Sequence, residues 1–202
     1  MRLDTARQAF HDCYYNSRVS MLAMAEEFCM GIGGSIQRTE MDNRTNVAMH
    51  QALAGTIQKA VATLPRHVRA FGEFMYSPMH YQDDDHRDAV EAYVFMLAYQ
   101  AFTKETRMTA KKAEKARYVA AGVLYRYRRM HQGGASACAD PLEKPEFFRA
   151  WLLEEKGVKL SSEQWAREWQ PFIDCCFAVC NDADKQALSA VGRCLGEMRE
   201  AA

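Results

Sequence analysis

The stretch "LSSEQWAREWQPFIDCCFAVC", Leu160 to Cys180, holds two tryptophans, a proline and three cysteines within sequence that reads as helical. Metal binding is the first chemistry to weigh. Structural zinc sites use paired ligands such as C-x2-C with a second pair at suitable spacing, and the chain contains no C-x2-C. Cys176 and Cys180 are four apart, but the nearest histidine is His131. A nucleophilic thiol needs a neighbouring base or positive charge, whereas Asp174 and Asp182 oppose a thiolate here. Free cysteine buries as a small hydrophobe. Cys175, Cys176 and Cys180 are therefore expected to pack in a core, with Trp165 and Trp169 anchoring the helix. Pro171 should kink that helix or start a new one, because it lacks a backbone donor.

Moving upstream, "PEFFRAWLLEEK" (145–156) is amphipathic, with Phe147, Phe148, Trp151 and Leu152 expected to face inward. Gly157 supplies a turn, and Ser161 or Ser162 can cap the next helix. Helix, glycine turn, helix is the layout of a helix-turn-helix, whose second helix offers its N-terminal residues to the major groove. On that reading Ser161, Ser162, Glu163, Gln164 and Arg167 are the DNA readers and Lys159 lies near the DNA backbone. The alternative is an αα-hairpin packed only for stability.

The remaining segments carry apolar residues at three- and four-residue spacing, punctuated by helix caps and breakers rather than hairpin turns. The spacing predicts an all-α fold. Helices are expected over Leu3 to Met30, ended by "GIGG" at 31–34, then Thr45 to Leu64, a short one before Pro78, and one entered through "DDD" at 83–85 and running to Phe102. Carboxylates in a first turn suit the positive end of the helix dipole. A basic helix follows at 109–131, and a last helix is expected from about Asp182. "GGASACADPLEKP" (133–145) reads as a linker, dividing a helical body at 1–132 from a helix-turn-helix-like unit at 146–202.

With 202 residues the chain suits one domain or two small ones, at about 100–200 residues per domain. Seven cysteines, an odd number, and an opening "MRLDTARQAF" without an apolar core point to a reducing cytoplasm. The longest apolar run, "AYVFMLAYQAF" at 92–102, is too short to cross a bilayer, so no membrane partner is expected.

Formal net charge is zero, but its distribution is uneven. Between Lys104 and His131 nine Lys or Arg face only Glu105 and Glu114. On a helical wheel Ala116, Val119, Ala120, Val123, Leu124, Tyr127 and Met130 form one arc. That arc is the expected buried face. Opposite it Lys111, Lys115, Arg126 and Arg129 form one row and Arg117 and Arg128 another, with Tyr118 and Tyr125 between them. Basic rows flanking aromatic rings suit a nucleic-acid backbone, since the cations neutralise phosphates and tyrosine can bond to them or stack on a base. The other reading is a solvated face docked on the acidic remainder of the chain.

The residues "WAREWQPFID" (165–174), followed by Cys180, resemble the late-gene antitermination Q proteins of lambda-type phages and their prophage-derived relatives. The pattern is carried by Trp165, Arg167, Pro171, Asp174 and Cys180, with softer echoes in the opening "MRL", in "FFRAWLL" and in "VFMLAYQAF". The specific part covers about 40 residues of the C-terminal unit, and the rest is diffuse. The resemblance implies a non-enzymatic, DNA-binding factor that engages paused RNA polymerase holoenzyme with its σ factor near a late promoter and permits terminator read-through. Ser162, Gln164 and Arg167 fall where the recognition helix of that family reads DNA, and the basic helix can contact phosphates or nascent RNA. One departure matters. Lambda-type members carry a zinc module with two C-x2-C pairs, whereas Cys138 stands alone here, so the resemblance implies a zinc-free member with no cofactor.

A rival chemistry lies in "HYQDDDHRD", where His80, Asp83, Asp84, Asp85, His86 and Asp88 are types that bind divalent metals. No E-x-x-H set on another helix completes a di-metal bundle, and the acidic run explains itself as a helix start. "HDC" at 11–13 is weaker still. "GIGGS" at 31–35 follows a helix, whereas phosphate-binding glycine loops follow a strand.

Overall fold

Thr5 turns the chain into its first described helix, α1 (Ala6–Cys13), with its side chain accepting the Gln8 N–H at 3.2 Å. The computed structural model describes residues 5–14, 43–77, 83–131 and 139–200, and among these every regular element is a helix. The expected continuation of the first helix to Met30, the 31–34 breaker, His80 and Cys138 lie outside the described residues. Next come α2 (Asn43–Ala62) and α3 (Arg66–Tyr76), separated by the proline at 65. Asp83 caps α4 (Asp84–Thr103) by accepting the His86 N–H at 3.2 Å, and Asp84 and Asp85 occupy its first turn, as the acidic run predicts. The basic helix is α5 (Ala110–His131).

Pro145 opens α6 (Pro145–Lys156), where its missing N–H is not needed. Gly157 closes it in a left-handed conformation at φ 65°, which glycine adopts without strain. Then the chain departs from expectation. The second helix of the anticipated helix-turn-helix is one turn, α7 (Trp165–Glu168), and the last helix starts at residue 170 rather than 182. Pro171 is the cause: without an N–H it cannot extend α7, but it sits comfortably at the second position of α8 (Gln170–Glu200). At 31 residues α8 spans about 46 Å.

Small buried residues set how α8 packs. Ile173, Cys176, Cys180, Ala183, Ala187, Ala190 and Cys194 recur at alternating three- and four-residue steps, and all are buried. A stripe of cysteine and alanine lets neighbouring helices approach closely, and α8 packs against α1, α2, α3, α4 and α5. The three cysteines of the opening stretch thus act mainly as packing groups, with Cys175 half-buried beside the stripe. Burial holds the Cys176 and Cys180 thiols well above their ordinary range. Trp169 is buried, and Trp165 meets Phe148 edge-on at 5.8 Å, so both anchor as expected.

One buried cluster includes residues of all the helices from α1 to α6 together with α8. The expected division at 133–145 is therefore not a division between two cores: α8 belongs to the core of the N-terminal helices. Two glycines mark the tightest approaches. A Cβ on Gly72 of α3 would sit 2.9 Å from the Phe10 ring, and one on Gly122 of α5 would sit 2.8 Å from the Phe148 ring. No described helix is long and apolar enough to cross a membrane.

Inside this core lies a polar centre that the sequence did not announce. Asp184 of α8 is 3 % exposed. Its carboxylate accepts from Arg7 of α1 at 2.8 Å, the Tyr76 hydroxyl of α3 at 2.5 Å and the Tyr127 hydroxyl of α5 at 3.2 Å. Both tyrosines are held above their ordinary pKa, first by burial and then by the Asp184 charge. Paired and hydrogen-bonded in this way, a buried carboxylate ties four helices together.

Candidate nucleic-acid interface

The wheel prediction for α5 holds for its apolar arc: Ala116, Val119, Ala120, Val123, Leu124 and Tyr127 are buried, with Met130 half-buried. The basic rows do not survive as drawn. Arg126 and Arg128 are each 8 % exposed. Arg126 makes a forked pair with Asp140, at 3.0 Å through Nε and 2.6 Å through a terminal nitrogen, and lies over the Phe148 and Phe177 rings. Arg128 donates from Nε to the Phe74 carbonyl at 2.9 Å and lies over that residue's ring. Neither is a surface phosphate contact. The wheel missed this because long cationic side chains can lie along apolar surface when a partner awaits the head group.

Arg129 is exposed, but 18 residues, about 27 Å of helix, separate it from Lys111. Tyr125 is stacked on Trp151, centroids 5.0 Å apart, and Tyr118 lies under Arg117 at 4.6 Å. These rings are partly occupied within the chain. Phe147, expected inward, is 54 % exposed, with Lys144 over its ring.

What remains of the basic helix is its first half, and the structure joins that half to the other predicted site. Lys112 donates to the Glu168 carbonyl at the end of α7, and its ammonium lies 5.1 Å from the Trp169 ring. A cation at that position also complements the negative end of the turn. Lys115 donates to the Lys159 carbonyl at 3.1 Å. Two lysines one turn apart thus stitch α5 to the loop and turn at 157–168. As a result exposed Lys111 and Lys115 come to one corner with exposed Lys159, Ser161, Gln164 and Arg167.

Detail at this corner is uneven. Ser162 is half-buried; its hydroxyl meets no partner among the described residues, and its carbonyl accepts from Arg149 at 3.5 Å. Arg167 leans on the Gln164 side-chain oxygen at 3.4 Å. Lys104, Arg107 and Arg117 are also exposed, and the first turn of α5 carries no acidic residue. Exposed carboxylates in the same segments are Glu105, Glu114, Glu163 and Glu168. Cations outnumber them along 104–117, whereas along 159–168 Lys159 and Arg167 are matched by Glu163 and Glu168. Lys112 was not singled out from sequence, although its place one turn before Ala116 puts it beside the buried arc.

The metal-like residues are otherwise employed. His86 Nε2 lies 2.9 Å from the Ala70 carbonyl, Asp83 is a cap, and Asp84 pairs with Arg87 at 2.8 Å. Among the described residues no group of three or more His, Cys, Asp or Glu is arranged to hold a metal ion. In "HDC", the Cys13 thiol donates to the Phe10 carbonyl at 3.0 Å, and burial pushes its pKa up to about 12. No protein-family model matches this chain, and comparisons with curated proteins and solved structures give no match either.

Proposed function

We propose that this protein is a DNA-binding transcription antitermination factor that loads onto RNA polymerase holoenzyme paused near a late promoter and permits terminator read-through. One observation carries the reading: the two segments singled out from sequence, the basic helix and the 159–167 stretch, meet at a single cationic corner through Lys112 and Lys115. The likeness of 165–174 to the lambda-type Q proteins adds support. With one turn in place of a full recognition helix, the corner meets DNA as a loop and turn braced by α5, not as an inserted helix. Lys111, Lys115 and Lys159 take the phosphates, while Gln164 and Arg167 face base edges.

Binding of labelled duplexes over a salt series tests this directly. Arg167→Ala is expected to abolish preference between late-promoter and unrelated duplexes. Lys111→Gln with Lys159→Gln should weaken all duplexes and flatten the salt slope by about 0.9 for each phosphate no longer neutralised. Equal binding by all three proteins would remove the proposal.

A second reading has its own support. Met96, Leu97, Phe147 and Leu153 are large apolar residues more than a third exposed, which suits a helical protein–protein interaction regulator that never touches DNA. Absence of duplex binding at low salt, with capture of polymerase retained, would favour it.

A further inference from the structure

Helices α4, α5 and α6 enclose a cleft of about 310 Å³, at the lower end of the roughly 300–1,000 Å³ in which proteins hold small molecules. Three cations from three helices line it: Arg87 of α4, Arg128 of α5 and Lys156 of α6. Stacked Tyr125 and Trp151 form a ring-lined wall. Of the carboxylates present, Glu91 is paired with Lys156 at 3.0 Å, and Glu155 is exposed.

Arg87 is the informative residue. One terminal nitrogen reaches Asp84 at 2.8 Å, a carboxylate whose side chain is 79 % exposed, so that pair is weakly held. The Arg87 Nε is buried and meets no acceptor among the described residues. Buried donors are almost always satisfied, and an unmet one is a standing cost that a turn of the guanidinium toward an acceptor in the cleft removes. A guanidinium presents parallel N–H groups that match the two oxygens of a carboxylate or phosphate.

We propose that this cleft binds a small organic oxyanion, a carboxylate or phosphate monoester on an aromatic body, with its head group on Arg87 and its ring against Tyr125 and Trp151. Glu155 disfavours highly charged polyanions, and none of Lys111, Lys115, Lys159, Gln164 and Arg167 lines the cleft. The proposal does not depend on DNA binding.

Calorimetric titration of the full chain with phenyl phosphate, benzoate and benzyl alcohol tests it. At least one anion is expected to bind saturably, while the neutral alcohol does not; whichever anion binds identifies the head group. Arg87→Gln should weaken binding about tenfold or more, and Arg87→Lys, which keeps the charge but loses the fork, should weaken it too. Asp84→Asn, which frees Arg87 from its competitor, should retain or tighten it. Circular dichroism confirms that each variant is folded. No saturable binding by either anion up to ~10 mM, or Arg87→Gln binding as tightly as the natural protein, would overturn the assignment.

Discussion

His131 ends α5 against the Asp184 centre, its ring 4.4 Å from that of Tyr127 and its Nδ1 buried without a partner among the described residues. Burial holds its pKa below the ordinary histidine value; Arg7 adds to the effect and Asp184 opposes it. The unfolded chain therefore takes up the proton first, so stability is full above about pH 6.5 and falls as pH drops below it. Thermal melts of the natural protein should lose ground against His131→Gln between about pH 7 and pH 5; parallel pH profiles would show that His131 does not contribute. Arg126 belongs to the same scale. Truncating one member of a nearly buried pair strands the other, so Arg126→Ala should cost about 3 kcal/mol in urea unfolding through Asp140. A loss below about 1 kcal/mol would mean that Arg126 is a surface cation after all. Packing of Cys176 and Cys180 is legible from residue type, whereas the inward turn of Arg126 depends on Asp140, which lies beyond its own helix.

At the scale of elements, caps and breakers were readable where one residue does one thing: Asp83, Pro145 and Gly157 each start or stop a helix where expected. The start of α8 was not. Asn181 and Asp182 resemble a helix start, yet they lie mid-helix, where Asn181 shares the Tyr127 hydroxyl with Asp184, at 3.1 and 3.2 Å. Asn181, a residue with a capping preference, bonds to another helix instead. Close approach of α5 and α6 at Gly122 gives a sharp test of packing. Gly122→Ala gains helix propensity but drives a methyl into the fully buried Phe148 ring, for a net loss of about 1–2 kcal/mol. A stabilised variant would show that α6 yields easily there.

For the whole molecule, formal neutrality conceals an uneven distribution: 104–131 carries nine Lys or Arg against Glu105 and Glu114, while Glu163 and Glu168 temper the α7 side of the corner. All-α architecture was legible because helical periodicity is local. The core shared by the described helices was not, since the Gly- and Pro-containing 133–145 segment reads as a boundary, whereas α8 packs against the helices that precede it. The corner itself was half legible: both segments were identified, but the lysines that join them act across 44 and 56 residues. Transcription in vitro by bacterial RNA polymerase holoenzyme, from late phage promoters followed by a terminator, tests the central claim most directly. Template-selective read-through with the natural protein, lost in the Lys111→Gln, Lys159→Gln, Arg167→Ala variant, is the expected result. Equal termination with and without the protein on every template would contradict it.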